Sequence, residues 1–176
     1  MVKAENVGRD EVGERQLLLL SLPQLSDLPE ALNLQSKYFG VLLAWDAWGV
    51  PDAVIVKLAR SLIENGMRYF CSWGGDCERV HDLFDSAIVD REPHETEDSV
   101  IITMWLGKES LDEALWNFLY VAFPANDYWD ECRADLIIVI NNGGWAERVK
   151  AWLSDLDALN KDIVGEDDEC DAENAI

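Results

Sequence analysis

Four near-continuous apolar runs punctuate the chain: Tyr38–Trp45 (YFGVLLAW), Met67–Trp73 (MRYFCSW), Ser99–Trp105 (SVIITMW) and Asp135–Asn141 (DLIIVIN). Because they do not alternate strictly between apolar and polar residues, they predict strands covered on both faces. A helical pattern follows each. After the first, Pro51 and Asp52 open a segment in which Val54, Ile55, Leu58, Ala59, Leu62 and Ile63 recur at spacings of three and four, and Gly66 is placed to end it. After the second, Cys77, Val80, Leu83, Phe84, Ala87 and Ile88 trace a shorter helical face, with Asp76 as its N-cap. After the third, Ser110 and Glu113 form a candidate capping box ahead of Leu111, Leu115, Phe118, Leu119 and Ala122, bounded by Pro124. After the fourth, Trp145, Val149, Trp152, Leu153 and Leu156 make a last amphipathic stripe.

Repeated strand–turn–helix units imply parallel strands joined by crossovers, hence an α/β fold: a three-layer, open, mainly parallel sheet of about four strands, Rossmann-like or flavodoxin-like. The economical order is 2-1-3-4. Residues 17–34 (LLLLSLPQLSDLPEALNL) predict an extra edge strand and a short helix, and residues 89–98 (VDREPHETED) a mobile polar loop carrying His94. The division expected is a polar N-terminal arm over 1–16, a single α/β domain over 17–157 and an acidic, disordered tail over 158–176.

Charge narrows the choice of partner. Lys and Arg number 14 against 35 Asp and Glu, a formal net charge of -21, which disfavours nucleic acid and anionic membranes because both carry negative charge. Residues 154–176 hold nine acids and one lysine, yet the rest of the chain is acidic too. A cationic partner or simple solubility remains open. The cysteines at 71, 77, 132 and 170 contain no C-x-x-C pair and suit reduced thiols. The opening residues lack the apolar run of a secretory signal, and no later run approaches a membrane span. A cytoplasmic location is the expectation.

In an open parallel sheet, ligands bind beyond the carboxyl ends of the strands. Those ends are Trp45-Asp46-Ala47-Trp48-Gly49, Trp73-Gly74-Gly75-Asp76, Trp105-Leu106-Gly107 and Asn141-Asn142-Gly143-Gly144-Trp145. Trp45, Trp48, Trp73, Trp105 and Trp145 would form an aromatic rim there, beside Gly74, Gly75, Asn141 and Asn142, with Asp46, Asp76 and Glu78 favouring cationic or amine-bearing ligands. Packing of Trp at the helix–strand boundary is the competing explanation. Neither Gly-Gly turn matches a dinucleotide or P-loop motif, and no Lys or Arg lies in the four turns.

The densest chemistry is FCSWGGDCERVHD at residues 70–82. Cys77 and His81 stand four apart on one helical face and could act as nucleophile and base, or join Cys71 around a zinc ion. Against this, Asp76 and Glu78 disfavour a thiolate, and Cys71 lies too deep in its strand to converge. Buried packing of the thiols accounts for them better, so neither a metal nor another cofactor is expected.

YFCSWGGDCERVHD, EALWNFLYVAFP and CRADLIIVINN together resemble small bacterial domains grouped as a family of unknown function, over about residues 38–153. The resemblance implies a cytoplasmic bacterial protein and carries over no catalytic residue. The residues favour a non-enzymatic module that binds a protein or small molecule through the strand-end rim. An enzyme using Cys77 and His81 or a carboxylate-held metal is one alternative, and an acidic inhibitor or immunity-like protein is another.

Overall fold

The computed structural model describes residues 3–10, 14–91 and 99–165; His94, Cys170 and the acidic tail from residue 166 onward lie outside these. The fold is α/β, with a six-stranded mixed, mostly parallel sheet in the order β1-β2-β6-β3-β4-β5. Its strands are β1 (Glu5–Asp10), β2 (Arg15–Leu22), β3 (Tyr38–Trp45), β4 (Met67–Trp73), β5 (Ile102–Trp105) and β6 (Cys132–Ile140). The helices are α1 (Asp52–Glu64), α2 (Cys77–Arg91), α3 (Leu111–Tyr120), α4 (Gly143–Leu153) and α5 (Leu156–Val164).

All four predicted strands form, but their number and order differ from expectation. The third does not lie beside the first; it is the short β5, paired only with β4 at the far edge. The fourth is β6, inserted between β2 and β3 and paired in parallel with both. Burial gives the reason: β6 is closed to solvent at every position except Arg133, so it needs a neighbour on each side, whereas all four residues of β5 are partly or fully exposed.

The LLLL run of β2 is likewise interior, flanked by β6 and by antiparallel β1. The segment 17–34 therefore supplies no edge strand, and its helix is one 3-10 turn at Leu25–Asp27. Residues expected as a polar arm contain β1, which forms that edge. Helix α2 continues through Arg91 into the segment predicted as a loop, and α5 continues to Val164, so residues 158–164, expected within the disordered tail, are helical.

The helices sort onto two faces. Ile55, Leu58 and Leu62 of α1 and Val80 and Phe84 of α2 pack on one side with Val41 and Leu43. Leu115 and Phe118 of α3, Val149 and Leu153 of α4 and Leu159 of α5 pack on the other with Leu42, Ala44 and Val139. Neighbouring β3 and β6 thus send their following helices, α1 and α4, to opposite faces, which opens a crevice outside their carboxyl ends. Among the described residues, no helix is long and apolar enough to cross a membrane.

Candidate functional site

The crevice begins where Trp45 and Ile140 pair at the last rungs of β3 and β6. Asp46 and Asn141 follow them directly, and both are exposed. Asn141 takes positive φ (56°) and donates its backbone N–H to Leu22 O at 2.8 Å, fastening the end of β6 to that of β2. Asn142 then caps α4, its side chain accepting from Trp145 N at 3.1 Å.

On the other side the β3 and β4 turns lock together. Ala47 N–H donates to Gly75 O at 2.9 Å. Gly74 has φ of 109° and lies so close to the Trp45 backbone that a Cβ there would strike its carbonyl, so this turn requires glycine on two counts. A Cβ on Gly75 would collide with the Asp46 carboxylate and the Trp48 indole, both of which lie across that turn.

Arg79, absent from the sequence-based site, braces this arrangement. Its Nε donates to Asp76 Oδ2 at 2.6 Å, Nη1 to Asp52 Oδ1 at 2.5 Å and Nη2 to Ala47 O at 3.1 Å. No basic residue lies within the turns, but one reaches back from the first turn of α2. Two of the local carboxylates therefore share one guanidinium, and the Asp76 carboxylate serves Arg79 rather than acting as a free charge. The spacing Asp76–Arg79, three apart across a helix start, was the available signal.

The five rim tryptophans do not form one ring. Trp45 is buried in the α1/α2 core. Trp73 and Trp145 meet edge-to-face at 4.8 Å, partly buried against the opposite core, with Trp73 Nε1 donating to Glu109 O at 2.8 Å. Trp105, 49% exposed, lies against His81 at 4.7 Å. Trp48 is 70% exposed. The structure thus brings together Trp48, Asp46 and Gly75, and separately Trp73 and Trp145.

Cys77 and His81 are both buried. Burial, with Glu109 and Glu78 nearby, pushes the Cys77 thiol up despite backbone hydrogen bonds that oppose the shift, the reverse of what a nucleophile needs. His81 Nδ1 lies 3.2 Å from Asp82 Oδ1 and Nε2 lies 3.1 Å from Thr103 Oγ1, which itself donates to Asp85 at 2.6 Å. Its ring nitrogens thus have carboxylate and hydroxyl partners rather than a thiol. Burial raises the Cys71 thiol to about 12. Among the described residues, no three His, Cys, Asp or Glu side chains converge as metal ligands would.

At the opposite end of the strands lies a buried ionic cluster that sequence patterning did not reveal. Tyr69 donates to Asp135 Oδ1, Arg15 Nη1 donates to Tyr69 Oη at 2.9 Å and Nη2 donates to Leu119 O at 3.1 Å. Arg15 Nε and Asp135 Oδ2 face each other at 3.3 Å, and neither has a hydrogen-bond partner among the described residues. Burial raises the Asp135 carboxyl to about 6, opposed by Arg15 and the Tyr69 hydroxyl.

The sequence matches DUF7684, a domain of unknown function, over residues 17–156. No curated protein matches it. The chain belongs to this family of domains of unknown function.

Proposed function

We propose that this family member is a non-enzymatic binding module that uses the carboxyl edge of its sheet, centred on Trp48 and Asp46, to engage a cationic protein surface. The observation that carries the reading is an exposed Trp48 whose ring lies across Gly75, in a turn whose backbone Arg79 fastens at Ala47 O. An aromatic ring held in place before binding loses little conformational freedom when a partner covers it, which is how anchor residues contribute most. Asp46 stands beside it, exposed to an approaching cation. The strongly acidic chain would hasten that encounter by long-range attraction.

Compared with the rim expected from sequence, the proposed surface is smaller. Trp45, Trp73 and Trp145 support it by packing, and Asp76 by holding Arg79. The test is quantitative capture by the full chain carrying Trp48→Ala or Asp46→Asn, alongside Trp116→Phe on the opposite face as control. A partner retained by wild type and the control should be lost with Trp48→Ala and weakened with Asp46→Asn, and its binding should fall with added salt. Equal capture by all four proteins would refute the assignment.

A further inference from the structure

Four of the 14 basic residues of this acidic chain stand where its parallel strands begin. Arg15 opens β2, Lys37 precedes β3, and Arg68 and Arg133 are the second residues of β4 and β6. Most are committed. Lys37 pairs with Glu131, Arg68 stacks on Tyr38 and Tyr128 at 4.5 and 4.9 Å, and Arg15 is buried against Asp135. Arg133 differs: it is exposed, its Nε donates to Asp130 O at 3.0 Å, and among the described residues no carboxylate lies in ion-pair range.

Between Arg15 and Arg133 lies an open-mouthed cavity of about 190 Å³, walled by Phe123, Trp129 and Cys132. The Phe123 and Trp129 rings lie 5.5 Å apart at 46°, and the Arg15 guanidinium sits 5.4 Å from the Phe123 centroid. Asp10 also borders the space, 3.7 Å from Arg15. An apolar cavity of about 150 Å³ accepts benzene, whereas drug-sized ligands need about 300 Å³ or more. The room is therefore for one ring and a short substituent.

We infer that this cavity binds a small single-ring aromatic carboxylate, its ring against Phe123 and Trp129 and its carboxylate on Arg133 at the mouth. Arg15 in the floor is already balanced by Asp135 and Asp10, so the Arg133 charge at the rim is what favours a carboxylate over an amine. The Cys132 thiol, pushed up to about 12 mainly by burial, stays neutral and presents no competing anion. This site is at the other end of the sheet from Trp48, so the two stand or fall separately.

Benzoate, benzylamine and acetate titrated into the full chain, read by NMR at the Trp129 indole, test it. Benzoate should bind saturably, benzylamine should not bind, and acetate should not displace benzoate. Arg133→Gln, a surface change that leaves the core intact, should weaken benzoate about tenfold or more through loss of a charge-assisted contact, Phe123→Ala should weaken it as well, and Trp48→Ala should leave it unchanged. Absence of saturable benzoate binding, equal binding of benzylamine, or undiminished affinity in Arg133→Gln would each overturn the assignment. Should Phe123→Ala misfold, Arg133→Gln decides alone.

Discussion

Tyr69 reaches Asp135 from two strands away because Gly40, in the strand between them, has no side chain to block the path. Gly40 pairs with Tyr69 on one side and with Asp135 on the other, and a Cβ there would fall inside the Tyr69 ring. Gly40→Ala should therefore destabilise the fold by roughly 3 kcal/mol, as overpacking of a closed core does, measured by urea unfolding. Adding Tyr69→Leu should recover part of that loss; an unaffected single variant would mean the ring has another place to go.

Asp135 makes a second test at this scale. Its carboxyl sits at about 6 against an ordinary 3.8, so the folded state holds the proton more tightly than the unfolded state. Stability from this group is complete below the ordinary value and is lost as pH rises through about 6. Relative to Asp135→Asn, wild type should lose up to about 3 kcal/mol between about pH 4 and pH 7, then level off. A difference between the two proteins that stays constant over that window would place the proton elsewhere.

Among the elements, α1, α3, β3 and β4 were legible because each carries its own periodicity and boundary residues. The Ser110–Glu113 capping box forms as expected, with both reciprocal bonds present, and Ser110→Ala should cost about 1 kcal/mol in chemical unfolding. Polar β1 (ENVGRD) carries no such signal, because an edge strand has no run of buried residues to announce it. The amphipathic stripe ending at Leu156 predicts one helix, but it breaks at Ser154–Asp155, where Asp155 caps α5 by accepting from Ala158 N at 3.0 Å. Arg79 belongs to this scale too, since it joins α1, α2 and the end of β3. Arg79→Gln should speed amide hydrogen exchange around Ala47 and Gly75 while global unfolding changes little; unchanged local exchange would show that Gly74 and the backbone bonds suffice.

For the whole molecule the dominant fact is charge. With a formal net charge of -21, self-repulsion opposes the compact state and salt screens it. Melting temperature should rise by a few degrees between low salt and about 0.5 M NaCl; a fall would mean that the ion pairs of Arg79 with Asp52 and Asp76, and of Arg15 with Asp135, outweigh the repulsion.

Sequence alone determined the α/β class, four of the strands and the helices that follow them, because periodicity and caps act over a few neighbouring residues. It also determined where the carboxyl ends lie, and so which tryptophans and acids could line them. Tertiary structure decided the strand order, since only pairing shows that β6 needs two neighbours and β5 tolerates one. It decided which rim residues face solvent, leaving Trp48 out and taking Trp45 in. It alone assembled Arg79 with Asp52, and Arg15 with Tyr69 and Asp135, because each of those contacts spans at least 27 positions of chain and no local pattern encodes them.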